Sequence, residues 1–255
     1  MRHVFETMGT VASIEVPHEF GGAMPSIRAA IEELDARCSL YRPESELSRV
    51  ARGELDLTDA GDALIASYAR ALEWRGHTGG AFTPHRPDGV VDLNGIVKAE
   101  GIEQSGDLLD AAGCPEWTIN VGGDILTRYG TETSPIGIID PQHRNRLLCS
   151  IVLAGGRRAL ATSGSAERGD HIWRAGNTSP AHFLQVSVIA DDIVTADVLA
   201  TAIVAGGPDT LDDFTARWSV DVLAVDRSGE LLATPGFRAS LTRLASVPRS
   251  ASTLG

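Results

Sequence analysis

With 255 residues, the chain is long enough to bury a sizeable core as one domain or two tightly packed halves. Its 22 basic residues against 34 acidic ones leave a formal charge of −12, which argues against general nucleic-acid binding, where clustered positive charge must meet phosphate. Cys38, Cys114 and Cys149 form no CxxC pair, which suits neither a zinc site nor a disulfide framework, and no apolar leader or membrane-length apolar run is present. The expectation is a cytoplasmic protein with reduced thiols, away from the membrane and monomeric or weakly associated.

In chain order, Val4 to Val16 alternates like a strand pair interrupted at Met8-Gly9-Thr10. Pro25 suits the first turn of a helix running to about Cys38, with Ile27, Ile31, Leu34 and Cys38 on one stripe. A polar loop, "SLYRPESELSRV", leads into a short helical turn. Thr58 is placed to cap the next helix, whose apolar positions include Leu64, Tyr68, Leu72 and Trp74. After the Gly- and Pro-rich loop "RGHTGGAFTPHRPDGVVDLNG", a helix runs from about Ile96 to Ala112, where Gly113 stops it. "EWTINVGGDILTRYG" reads as strand, Gly-Gly turn, strand, and "IGIID", "LLCSIVLAG" and "RALATSG" as further short strands. "FLQVSVIA" is a strand leading into a helix that carries Asp197 and ends at Gly206-Gly207-Pro208. A short helix, "VDVLAVD", the turn "RSGE" and "LLA" follow. Hairpin-like pairs separated by helices predict an α+β fold with largely antiparallel sheets. They form one domain over residues 1–245, with 246–255 a disordered tail.

The GxxxxGK[ST] phosphate loop, the GxGxxG fingerprint, HExxH and GxSxG are all missing. Four other stretches bring small and polar residues together at element ends. In "DLNGIVKAEGIEQ", Asn94-Gly95 opens a helix whose free N–H groups can receive an anion, with Lys98 beside them, or the stretch is a plain junction with a solvated lysine. In "NVGGDILT", Gly122 and Gly123 let a ligand approach the backbone before Asp124, or they simply turn a hairpin. "LATSGSAERGDH" is a strand end breaking into hydroxyl residues, or a surface loop. The fourth is the helix "TADVLATAI", apolar on all sides except for Asp197 and Thr201, one turn apart. Either Thr195 caps this helix and the macrodipole stabilises Asp197 by about 0.3–1 kcal/mol, or the pair faces a hard divalent cation.

Together these stretches resemble the FAD:protein FMN transferase, or ApbE-like, family. The similarity starts at "MGT" (Met8 to Thr10) and continues through "SLYRPESELSRV", "DLNGIVKAEGIEQSGDLL", "NVGGDI", "GIIDP", "ATSG" and "ADVLATA", in family order from Met8 to about Gly206. The resemblance implies an α+β fold that binds FAD with Mg²⁺. It also implies transfer of FMN to a Thr or Ser hydroxyl of an acceptor flavoprotein, with release of AMP. It places Asp197, Thr201 and the Val97 carbonyl on the metal, and Met8, Tyr41, Asp124 and Asp140 on flavin or adenosine. Lys98 takes the position of the family lysine, with Asn94, Glu103, Gly122 and Gly123 in the same nucleotide-binding segments. Thr162, Ser163 and Gly164 fall near the pyrophosphate, and His171 on a histidine that assists transfer. The chain departs from the pattern at Arg174, where the family carries Asp, and at Thr83, Ala99 and Glu103. Two other functions share these motifs: an FAD pyrophosphatase releasing FMN and AMP, and a flavin-binding protein without turnover.

Overall fold

The computed structural model describes residues 1–129, 134–164 and 181–242. His171, Arg174 and the tail at 246–255 lie outside the described residues. In chain order the elements are β1 (Arg2–Thr7), β2 (Thr10–Glu15), α1 (Met24–Cys38), α2 (Glu46–Ala51), α3 (Asp62–His77), α4 (Asn94–Ala111), β3 (Trp117–Val121) and β4 (Asp124–Arg128). They continue with β5 (Ile136–Ile139), β6 (Leu147–Ile151), β7 (Ala159–Gly164), β8 (Phe183–Ala190), α5 (Ile193–Gly206), α6 (Pro208–Arg217), β9 (Asp221–Asp226), β10 (Leu231–Ala233) and α7 (Pro235–Ser240). One antiparallel sheet runs β1-β2-β3-β4-β7-β8-β9-β10, and β5-β6 form a separate hairpin between β4 and β7. The α+β expectation holds.

Turn chemistry sets the hairpins. Met8 and Gly9 have φ of 47° and 69°, and Gly122 and Gly123 have 62° and 97°. Both are two-residue connections with two left-handed residues, the geometry whose twist matches the flanking strands. Met8 is the one non-glycine residue at positive φ among those described. That conformation is disfavoured for a side chain and persists only when the surroundings enforce it.

Three helix starts differ from expectation. The chain around Thr58 is a short 3₁₀ turn, Leu57–Asp59, and α3 begins after Gly61, whose N–H donates to the Glu46 carboxylate at 2.7 Å. Helix α4 starts at Asn94, not Ile96, because Asp92 accepts the Asn94 N–H at 2.9 Å. Helix α5 is capped by Asp192, which accepts the Thr195 N–H at 2.7 Å. Thr195 therefore sits in the first turn and Asp197 beyond it.

Strand alternation divides the core between the two faces of the large sheet. Ile119, Leu126, Ala161, Val188 and Val222 join α1, α4 and α5 in one cluster. Ile125, Leu160, Ile189 and Leu223 point the other way, against β5, β6 and Phe237 of α7. Helix α5 is buried on every side, as its composition requires. No helix among the described residues is long and apolar enough to cross a membrane.

Helix α4 approaches β3 closely because Gly106 has no side chain. A Cβ at that position would lie 2.7 Å from the Trp117 ring. Gly106→Ala should therefore destabilise the protein by about 1–3 kcal/mol, despite the better helix propensity of alanine. Urea unfolding checks this; an unchanged or raised midpoint would show that Trp117 moves aside without cost.

Candidate functional site

Where the strands of the large sheet meet α4 and α5, the described parts of the four polar stretches converge. Asp124, fully buried at the start of β4, forms an ion pair with Lys98 of α4, itself only 15% exposed. The other carboxylate oxygen of Asp124 accepts the backbone N–H of Thr162 at 3.0 Å. The β4–β7 ladder contains only Ile125↔Leu160 and Leu126↔Ala159. Beyond it the strands part, and the Asp124 side chain satisfies an N–H that the ladder has released. A buried charge of this kind is tolerated only when paired, and removing one partner typically costs about 3–5 kcal/mol.

Ser163, the next residue of β7, turns its hydroxyl toward α5, 3.0 Å from the Thr201 hydroxyl. One turn earlier on the same helix lies Asp197, only 3% exposed. Helix α5 contains no basic residue, and the Asp192 cap removes the reading of Asp197 as a first-turn carboxylate. Helix α4 packs against α5 and contributes the buried Val97 beside Lys98. Asp197, Thr201 and the Val97 carbonyl are hard oxygen donors, the type a divalent cation prefers. Among the described residues no three His, Cys, Asp or Glu side chains converge on one point.

Other candidates frame this cluster. Met8 lies over α4, with its Cε 3.5 Å from where a Gly101 Cβ would stand. Gly122 abuts Thr10, so the turns of the two N-terminal hairpins meet at one end of the sheet. Gly123 donates its N–H to Asn120 at 3.0 Å. Gly164 must lack a side chain, since a Cβ would lie 2.6 Å from the Leu184 carbonyl. Asn94 occupies the first position of α4.

The structure separates some residues that the sequence grouped. Thr162 contributes its N–H alone; its hydroxyl is on the opposite face, 2.9 Å from Ser187. Tyr41 is 75% exposed on the α1–α2 loop, and Asp140 stands beyond β5 in the β5–β6 loop. Glu103 is held by both terminal nitrogens of Arg70 on α3, at 2.5 and 2.9 Å.

That last contact belongs to a network the sequence reading missed. Ser67 donates to the buried Glu100 at 2.7 Å, and Arg70 lies 3.8 Å from the same carboxylate. Burial pushes the Glu100 carboxyl up, against the opposing pull of Ser67 and Arg70. The available signal was matched spacing: Ser67 and Arg70 on α3, Glu100 and Glu103 on α4, each pair three apart on one helix face. Cys38 borders this network, and burial, reinforced by Glu100, pushes its thiol up to about 12. A thiol that stays protonated is no nucleophile.

The ApbE family model matches residues 8–88 and 83–224. The chain belongs to the ApbE family. The flavin transferases of this family are the enzymes its motifs resembled. The ApbE protein of Thermotoga maritima is similar over 95% of this chain and 99% of its own, with a TM-score of 0.80 at 19% identity. The flavin transferase ApbE of Vibrio cholerae gives 0.73 at 21% identity, over 94% and 99% of the two chains. The Pseudomonas stutzeri flavinyl transferase ApbE gives 0.75 at 18%, over 95% and 97%. Among curated proteins nothing matches. The shared ApbE fold thus extends across nearly the whole chain, although sequence identity is low.

The Cys38 thiol provides a check on burial beside the network. Its ordinary value is 9.0, so above that pH the unfolded chain loses a proton that the folded protein keeps until about pH 12. The unfolded state then binds fewer protons, and stability falls as pH rises through that window. Urea midpoints at about pH 8 and about pH 10.5 should fall less in Cys38→Ala than in the wild type. Equal falls in both proteins would place Cys38 in contact with solvent.

Proposed function

We propose that the protein is an FAD:protein FMN transferase that uses Mg²⁺ to move FMN from FAD onto a Thr or Ser hydroxyl of an acceptor flavoprotein, releasing AMP. The observation that carries this reading is the convergence of Lys98, Asp124, Ser163, Thr201 and Asp197 where α4, α5, β4 and β7 meet. A pyrophosphate is a compact anion. It calls for a fixed cation, backbone N–H donors and close approach by small residues. Lys98, held by Asp124, meets the first need. The turn Gly122-Gly123 offers the close approach, its own N–H groups and that of Asn94 being taken up by Val11, Asn120 and Asp92.

In this reading Lys98 binds a phosphate oxygen, and its ion pair with Asp124 fixes the direction of the ammonium. Ser163 and Gly164 line the pyrophosphate path at the open end of β7. Met8 and Tyr41 contact the flavin or adenosine ends of FAD, whereas Asp140 is engaged within the β5–β6 loop, and Glu103, locked by Arg70, supports α4 from behind. Asp197, Thr201 and the Val97 carbonyl would hold Mg²⁺, which neutralises pyrophosphate charge and stabilises the negative charge that grows on the leaving phosphate. The acceptor oxygen attacks the FMN phosphorus, the bond to the bridging oxygen breaks, and AMP leaves with that oxygen. His171, by resemblance to the family histidine, takes the hydroxyl proton.

The direct test incubates the protein with FAD, Mg²⁺ and candidate acceptors, and measures acceptor mass and AMP. Acceptor mass should rise by one FMN, with matching AMP release. FMN and AMP appearing at the same rate without acceptor would make the enzyme a pyrophosphatase instead. Asp197→Asn keeps the side-chain shape but is a far poorer ligand for a hard cation. It should lower Mg²⁺-dependent transfer by at least about 100-fold, with the melting temperature little changed. Full metal-dependent turnover in Asp197→Asn would remove Asp197 from the metal site.

A further inference from the structure

The β5–β6 hairpin stands out from the acidic surface. Its loop presents His143, Arg144 and Arg146, all exposed, in a chain of net charge −12. Neither arginine forms an ion pair among the described residues. The loop's own acid, Asp140, is engaged locally: it accepts the Gln142 N–H at 2.9 Å and lies 3.2 Å from His143. The Gln142 N–H, with His143 adding to it, holds the Asp140 carboxyl below its ordinary range.

Beside this positive loop the hairpin exposes apolar side chains. Ile136 and Ile138 point into the core, and Ile139 faces outward at 45% exposure. Its cross-strand partner Leu147 is 49% exposed and lies across Gly137, where a Cβ would be 2.7 Å from a Leu147 methyl. The β9–β10 turn adjoins the loop, with the Gln142 amide 3.4 Å from where a Gly229 Cβ would stand. Two residues further on, Leu231 is 50% exposed.

This surface is tied to the candidate site. The Gln185 amide donates to the Ile139 carbonyl at 3.1 Å, and Gln185 pairs with Gly164, the residue after Ser163. The hairpin is therefore fastened to the end of β7, where the Ser163 hydroxyl meets Thr201.

We propose that the β5–β6 hairpin is the docking surface for the acceptor protein, and that it selects a segment in which carboxylates and apolar side chains flank the modified hydroxyl. The inference rests on the transferase reading, which requires a second, protein substrate at the mouth of the site. Charge complementarity selects the occupant. Much of this protein's surface repels an acidic segment, and Arg144 and Arg146 attract it while Ile139, Leu147 and Leu231 bury its apolar residues. Such contacts act mainly on encounter and specificity, so they weaken with salt.

The test uses a fluorescein-labelled dodecapeptide with one Thr flanked by Leu, Asp and Glu, and a second peptide in which Lys replaces each acid. Fluorescence anisotropy measures their binding to the full chain, with FAD affinity measured separately on the same samples. The acidic peptide should bind at least about tenfold more tightly than the basic one at low salt, and lose that advantage in high salt. Arg144→Glu/Arg146→Glu should abolish the preference, and Leu147→Ala should weaken the acidic peptide by about three- to tenfold, with FAD affinity unchanged in both. Circular dichroism melts on both variants confirm folding. Equal binding of the two peptides, or preference retained in the double variant, would overturn the assignment. So would a parallel loss of FAD affinity, which would place the arginines on the nucleotide. A wild-type dimer that Leu147→Ala turns into a monomer would make this face a contact between copies of the chain. Failure of wild-type FAD binding sinks the flavin reading and is scored apart from the peptide result.

Discussion

The ion pair between Lys98 and Asp124 is the constraint on which the site depends. Both groups are withdrawn from water, and neither is tolerable there alone. Their attraction fixes α4 over the start of β4, and the second oxygen of Asp124 fixes β7 through the Thr162 N–H. With β7 in place, Ser163 is presented to Thr201 of α5. Replacing the pair by apolar residues of similar volume would be neutral or favourable for stability in many proteins. A buried pair retained where four elements meet is better explained by chemistry than by folding energy.

The architecture was legible wherever local rules determine it. The Met8-Gly9 and Gly122-Gly123 turns, the stop at Gly113 and the α5 helix, apolar around Asp197 and Thr201, were all apparent in the sequence. Local rules failed where two residues competed for one role. Thr58 and Thr195 are good caps by type, but Gly61 and Asp192 hold the positions where the chain turns into the helix. The side on which Thr162 points was not available either, since it depends on pairing between β7 and β8 across a long connection. The Ser67, Arg70, Glu100 and Glu103 network required knowing that α3 lies against α4. The contacts among Lys98, Asp124, Ser163 and Thr201 needed the fold, because composition and spacing left each of those stretches with an ordinary explanation and only the family resemblance singled them out.

The two faces of the sheet divide the proposed labour. The helical face holds the carboxylate, hydroxyl and ammonium groups suited to a pyrophosphate and its cation. The opposite face carries the β5–β6 hairpin with its positive loop and exposed leucine and isoleucine. Gly164 and Gln185 connect them at the end of β7 and β8. A transferase for a protein substrate needs this kind of junction: the small donor must be enclosed, and the large acceptor must reach the same atoms from outside. The surplus of 12 negative charges makes local clusters of positive charge the places where an anionic partner is favoured.

The central claim is that Lys98, positioned by Asp124, recognises the pyrophosphate of FAD. It is tested most directly by fluorescence titration of FAD and riboflavin against the wild type, Lys98→Met and Lys98→Met/Asp124→Asn. The double variant leaves no uncompensated buried charge, so it separates loss of binding from loss of folding. The account predicts that both variants weaken FAD by about 10–100-fold, the range of a hydrogen bond to a charged group, and leave riboflavin unchanged. Equal loss for the two ligands, or no loss of FAD affinity in the folded double variant, would contradict it.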